Sequence, residues 1–361
     1  MMESIFDKLY FSFTGQKINT PDNFVPSPAQ LYQAEILFTT LQRKEEYGTD
    51  LFDEKGRFMA EKSIMHLAGK SKKPMVDAFF DEIFPGAYAS IYPYQCIPTF
   101  DIDHAYAFKG KGFIKNAGGM AKNIFSDRKR ASARFNTWFN PQADPYDTYD
   151  YIIQTCKSFG LRPLFFIQMG NYGNGFDTNI HFKNPEGRKL IEFLAEHGDI
   201  GLHPSYASNT DVEILKREYD LLSEISGKSI TKSRQHFLML RFPETYRRLI
   251  DLGITEDYSM GWSSQIGFRA STSRPFLWYD LEKEEFTNLT VYPFPCMDGT
   301  LHEYMNLPVE EAIDEISNLV AETRRHQGVF VPLWHNHSVN DQWEWNGWQT
   351  VFEQMLALGC P

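Results

Sequence analysis

The sequence predicts an α/β fold of parallel strands, a barrel or an open sheet, behind a small N-terminal accessory region. Three observations carry this. From Pro93 onward, short apolar runs alternate with amphipathic helical stretches, the pattern of repeated β–α units. A glycine stands just past one helical stretch after another, at Gly160, Gly198, Gly227, Gly253 and Gly328, where a helix stop is favoured. Polar residues interrupt the pattern where strands run out, and chemistry in parallel α/β folds gathers at those carboxyl ends. At 361 residues the chain exceeds a usual single domain. We therefore divide it into an accessory region, 1–92, and a main domain, 93–361.

Within the accessory region, the stretch following Pro28 reads as a helix and Asp77–Phe84 as a short amphipathic one; nothing there combines into a catalytic set. In the main domain, residues 97–101 (IPTFD) form a short strand ending in acids. A helix over 146–159 precedes a strand over 163–169. A helix over 185–197 precedes the strand 199–203 (DIGLH), and a helix over 212–225 precedes a strand-like run over 230–236. Helices follow over 242–252 and 308–326, then a strand over 330–334 (FVPLW) and a closing helix over 348–358.

Composition narrows the function. A formal charge of −11 argues against nucleic acid as a partner, because binding phosphates needs a net basic face. The four cysteines form no CxxC pair, which argues against a thiolate zinc site or a disulfide framework. No apolar run approaches the roughly 18 residues of a membrane span. The first residues, MMESIFDKLYFSF, lack the basic-then-apolar order of an export signal, so a cytoplasmic location is expected. Aromatic content is 15%. Much of it fills the core, while Tyr or Trp beside polar residues can offer flat faces to sugar rings. The KGKG run at 109–112 reads as a solvated rim loop.

PTFDIDHAY places Asp101 and Asp103 two residues apart where a strand ends. Both then point to one face. Two like charges that close conflict unless a cation lies between them. One carboxylate can ligate a metal while the other serves as base toward water; a solvated turn is the plain alternative. Five of the ten histidines, at 104, 203, 236, 335 and 337, also stand at expected strand ends, and a neutral imidazole is a common metal ligand.

Taken in order, five segments resemble the polysaccharide deacetylases over roughly Pro93 to the C-terminus. PTFDID resembles the first motif, which implies Asp101 as base and Asp103 as metal ligand. GDIGLHPSY resembles the second, with His203 as ligand, but Ala207 stands where the second histidine of HxxxH belongs. SRQHFL resembles the third: Arg234 matches the arginine that orients the catalytic carboxylate, and His236 replaces a proline and is the expected substitute ligand. EDYSMGW resembles the fourth and contributes Asp257 and Trp262 to the pocket wall. VPLWHNHS resembles the fifth, with Leu333 lining the acyl pocket and His335 as general acid. The resemblance implies a distorted parallel (β/α) barrel and metal-dependent hydrolysis of an amide, most simply N-deacetylation of a sugar or a surface-polysaccharide precursor.

In that reaction Asp101 takes a proton from the attacking water and His335 protonates the leaving nitrogen. Zinc is the expected metal, and nickel, cobalt or iron suit the same oxygen and nitrogen donors. The expected partner is a carbohydrate or another small N-acylated substrate. Tyr106, Tyr172, Tyr206, Trp262 and Trp334 are candidates for stacking on sugar, with core packing as the alternative for each. Arg269 is a candidate for gripping an anion, and Asp298 either lines the cleft or makes a turn before Gly299. Two other functions remain open: a metal-free hydrolase of cyclic amides on the same fold, and a glycan-binding protein without catalysis.

Overall fold

The computed structural model describes residues 4–17, 26–89, 91–110, 128–172 and 175–361. Residues 111 and 112 of the KGKG run lie outside these. The chain forms two compact units. One comprises residues 1–97, 231–333 and 358–361, and the other residues 98–230 and 334–357.

In the first unit, α1 (Ile5–Thr14) starts at a capping box between Ser4 and Asp7, and α2 (Pro28–Leu41) at one between Ser27 and Gln30. They are joined by the short α3 (Ile64–Leu67) and by α4 (Met75–Ile83). Strand β1 (Gln95–Cys96) pairs in parallel with β9 (Val329–Phe330). A second set runs β5 (Lys232–Ser233), β6 (Glu256–Asp257), β8 (Glu285–Val291) and β7 (Phe276–Asp280); all its pairings are parallel except β7 with β8. Helices α9 (Glu244–Asp251) and α10 (Val309–Arg325) fall where the sequence places them.

The strand expected over 230–236 is reduced to Lys232–Ser233. His236 instead opens a one-turn 3-10 segment, His236–Leu238, in which Phe237 and Leu238 have φ of 59° and 56°. Left-handed backbone at two successive bulky residues ends a strand. The expected strand over 330–334 is likewise split into β9 and β10 (Leu333–His335). Pro332 lies between them and has no N–H to give a ladder.

The second unit holds the parallel strands β2 (Thr99–Ile102), β3 (Leu164–Gln168) and β4 (Asp199–His203), with Asp101 opposite Phe166 and Gln168 opposite His203. Phe100, Phe165, Phe166, Ile167 and Leu202 are fully buried, as in parallel strands covered on both faces. Helix α5 (Arg128–Phe139) precedes the covering helices, which include α6 (Tyr149–Ser158), α7 (Pro185–His197), α8 (Val212–Ser226) and α11 (Trp348–Gly359). Gly227 closes α8 in the left-handed conformation, φ 64°. Gly198 has a different task. Its backbone is extended, and a Cβ there would meet the Phe165 ring and the Pro163 carbonyl oxygen at 2.7 Å, so glycine permits close approach rather than a helix stop. The α/β class with parallel strands is as the sequence predicts; α1, α5 and the β7–β8 hairpin are additions to it. Among the described residues, no helix is long and apolar enough to cross a membrane.

Candidate metal centre

Asp101 lies within β2 and is 2% exposed, while Asp103, just past the strand end, has a side chain 20% exposed. Strand alternation turns both carboxylates to one side. From the end of β4, His203 meets them there: its Nε2 is 3.6 Å from Asp101 Oδ2 and 3.1 Å from Asp103 Oδ1. From β10, His335 Nε2 lies 3.5 Å from Asp103 Oδ2. Each Asp103 oxygen therefore faces an imidazole.

Metal–ligand bonds of about 2.1 Å at angles of about 90–110° set neighbouring donor atoms about 3.0–3.4 Å apart. The spacing of Asp103 Oδ1 and His203 Nε2 fits that range, and a carboxylate with imidazole suits a borderline divalent cation.

Buried polar residues hold these groups. Asn179 Nδ2 donates to the carbonyls of Ile102 and Gln168 at 2.8 and 2.9 Å, and its Oδ1 accepts from Ala105 N–H at 2.8 Å. This ties together the ends of β2 and β3. Asp144 accepts the N–H groups of Ala107, Phe108, Lys109 and Tyr146, fixing the loop after the acid pair. Asn336, next to His335, donates to the His104 and Tyr146 carbonyls at 3.0 and 2.9 Å, and its own carbonyl accepts from Thr148. The turn after His203 is pinned by two carboxylates. Asp177 accepts from Tyr206 N–H at 2.7 Å and Ala207 N–H at 3.0 Å, and Glu218 from Ser205 N–H at 3.0 Å and the Tyr172 hydroxyl at 2.8 Å. Burial raises the Glu218 pKa even though Ser205 and Tyr172 bond its carboxylate.

Sequence reading missed Asn179, Asp177, Glu218 and Asn336. One of them was detectable: Glu218 occupies the buried side of α8 with Leu215, Leu222 and Ile225, and an acid at an apolar helical position needs a reason.

The remaining expected residues divide sharply. In the first unit, Arg234 is fully buried and donates from Nε to the Tyr258 carbonyl at 2.9 Å. His236 is 6% exposed, beside the Phe237 ring. Asp257, expected in a pocket wall, is fully buried. It accepts from Ser259 N–H and the hydroxyls of Ser233 and Ser259, each at 2.9 Å, and burial raises its pKa. Trp262 packs against Phe58 in the core, with the guanidiniums of Arg43 and Arg269 over its ring.

Arg269, expected to grip an anion, is 2% exposed and bound to Glu46, Nε to Oε1 at 3.0 Å and an Nη to Oε2 at 2.5 Å. An internal carboxylate engages it. Asp298 is fully buried, and its Oδ1 accepts from Gly299 N–H at 2.6 Å. Leu333 is 1% exposed; Trp334, at 2%, packs on Trp348 and Phe352 and is core. Tyr106 is also core, edge-on to Tyr149. Tyr172 is 43% exposed and Tyr206 half-buried, so these two remain open to solvent.

Neither a known protein family nor a curated protein matches the sequence. Solved structures are similar in fold. The likeness is to polysaccharide deacetylases and an allantoinase. A protein of Mycobacterium smegmatis, titled a polysaccharide deacetylase, shares 16% identity over 74% of this chain and 84% of its own, with a TM-score of 0.47. One from Pseudomonas aeruginosa PAO1 shares 9% identity over 82% and 90% of the two chains, TM-score 0.49. Puue allantoinase shares 10% over 83% and 91%, TM-score 0.47.

Proposed function

We propose that the protein is a divalent-metal-dependent amide hydrolase whose reaction is N-deacetylation of an N-acetylated sugar. The observation that carries this is the meeting of Asp101, Asp103, His203 and His335 at strand ends, with one histidine against both carboxylates and the second against the far oxygen of Asp103. In this reading Asp103 and His203, a carboxylate and an imidazole, would hold the metal. Zinc, nickel, cobalt and iron all accept such donors.

A bound divalent cation supplies positive charge that polarises the acyl carbonyl and eases deprotonation of water. The rest falls to the chain. The Asp101 carboxylate, held in β2, accepts one proton from the attacking water as its oxygen adds to the acyl carbon. As the C–N bond breaks, His335 delivers a proton from Nε2 to the departing nitrogen. Acetate and a free amine leave.

The test measures acetate release and metal content on one sample, purified without chelator, across N-acetylated sugars. About one metal per chain and activity abolished by Asp101→Asn are expected. An active, metal-free protein would sink the metal reading, and sugar binding without acetate release from any substrate would sink catalysis.

A further inference from the structure

Beside the acid pair lies a cavity that the proposed reaction leaves unused. Its volume is about 220 Å³, and His104, Phe108, Arg130, Arg134, Tyr146 and Trp343, all of the second unit, line it. A drug-sized ligand takes a pocket of about 300–1,000 Å³, so this one suits a single group of a larger molecule. Its described lining residues include two guanidiniums and no carboxylate. In a chain of formal charge −11, that is a local reversal of sign.

Both arginines come from α5 and stand one turn apart, so their side chains share a face. Like charges at that spacing repel, and an anion between them removes the conflict. Each is seated on a ring. The Arg130 guanidinium lies over Trp343, 5.0 Å from the ring centroid, and that of Arg134 over Phe108, at 4.4 Å. A guanidinium held against a ring keeps its N–H donors in its own plane, where they match the paired oxygens of a carboxylate or phosphate. Glu344 engages one Nη of Arg130, at 2.8 and 3.0 Å, and a guanidinium has further donors. The Asp144 carboxylate, whose charge also acts on Arg134, is occupied by four backbone N–H groups. Burial raises the Tyr146 pKa, which keeps that hydroxyl a donor.

The cavity adjoins the candidate metal centre. His104 follows Asp103 directly, and Asn336 donates to the His104 and Tyr146 carbonyls, which fixes the cavity wall to the segment carrying His335. The His337 ring lies 5.3 Å from that of His335 and 5.3 Å from that of Tyr146, so two ring-to-ring steps lead from the centre to the cavity. One small molecule can span them. We propose that this cavity binds an oxyanion of the substrate, a carboxylate or a phosphate, and that Arg130 and Arg134 hold it. The inference rests on the deacetylase reading for the acyl group at Asp101 and adds the class of compound: an N-acylated sugar that carries a negative group. Binding energy gained at such a remote group serves to position the acyl carbon for attack.

The test uses the Asp101→Asn chain, purified without chelator, so that binding is read without turnover. It is titrated calorimetrically with neutral N-acetylglucosamine, with N-acetylglucosamine 1-phosphate and with N-acetylmuramic acid, which carries a carboxylate. One of the two anionic sugars is expected to bind roughly tenfold more tightly than the neutral one, and the tighter of them identifies the anion. Adding Arg134→Gln or Arg130→Gln is expected to remove that advantage and to change the neutral sugar by less than about twofold. Arg134→Lys, which keeps the charge but not the planar fork, should restore part of it. Added salt should weaken the anionic sugar alone. No preference for either anionic sugar, or equal losses for charged and neutral sugars in both glutamine variants, overturns the anion site. Acetate release by the chain carrying Asp101 is followed separately. A preference that depends on Arg134, without acetate release from any of the three sugars, overturns the deacetylase reading alone. Release from neutral and anionic sugars at equal kcat/KM overturns the anion site alone.

Discussion

Replacing Glu46 by glutamine tests which partner Arg269 serves. Glu46 is buried and accepts from Arg43 Nε at 2.7 Å, Arg269 Nε at 3.0 Å and an Arg269 Nη at 2.5 Å, while Arg43 also reaches Glu45 at 2.7 Å. Two guanidiniums and two carboxylates close to neutrality. Removing one partner of a buried ion pair costs about 3–5 kcal/mol, because the charges left behind keep their desolvation penalty. That is a large part of the roughly 5–15 kcal/mol that holds a domain together. Denaturant unfolding followed by tryptophan fluorescence, with Trp262→Phe as control, should show the loss in the transition that Trp262 reports. The pH dependence has a definite sign. Burial would raise the Glu46 pKa, but Arg269 and Arg43 overcome it and hold it below the usual glutamate value. A depressed carboxyl stabilises above its unfolded pKa, and that stability is lost as pH falls through the folded one. Glu46→Gln should therefore flatten the acid side of the stability curve. Arg269→Met should lower stability and leave KM for an anionic sugar unchanged. A loss under about 1 kcal/mol for Glu46→Gln, with KM raised by Arg269→Met, refutes the internal assignment.

Three further outcomes follow from the second unit. His203→Ala should abolish retention of the metal and lower kcat/KM by at least about a hundredfold, read by metal analysis and acetate release. Glu218→Gln keeps groups able to bond Ser205 and Tyr172 but cannot ionise. Because burial raises the Glu218 pKa, the wild-type chain loses stability as pH climbs from the usual glutamate value through the folded one, and melting curves of the variant should lack that decline. Asn336→Ala removes the bonds to the His104 and Tyr146 carbonyls. It should cost about 1–3 kcal/mol and lower kcat more than it raises KM, since the backbone beside His335 loses its anchor.

Much of the second unit was legible because its signals are local. Helix 185–197 and strand 199–203 have the bounds read from sequence, since Asn184 caps the helix, Pro185 starts it and the strand is a compact apolar run. Asp101, Asp103, His203 and His335 were legible for a related reason: polar residues where apolar runs stop. What stayed hidden depends on partners distant in the chain. Arg269 reads as an available cation until Glu46, 223 residues earlier, is seen beside it. Trp334 ends the expected strand and precedes histidines, yet helix α11 covers it. The strand over 230–236 failed on backbone conformation at Phe237 and Leu238, which their side chains do not announce.

Asn336 has a consequence for the order in which the centre is built. Its side chain reaches the His104 carbonyl across 232 residues, and between these two segments the chain passes through residues 231–333 of the other unit. Neighbours close in sequence meet early, while long loops close late and at greater entropic cost. Strands β2, β3 and β4 can thus align the acid pair with His203 before His335 arrives. On this account Asp103 and His203 come together before His335 joins them.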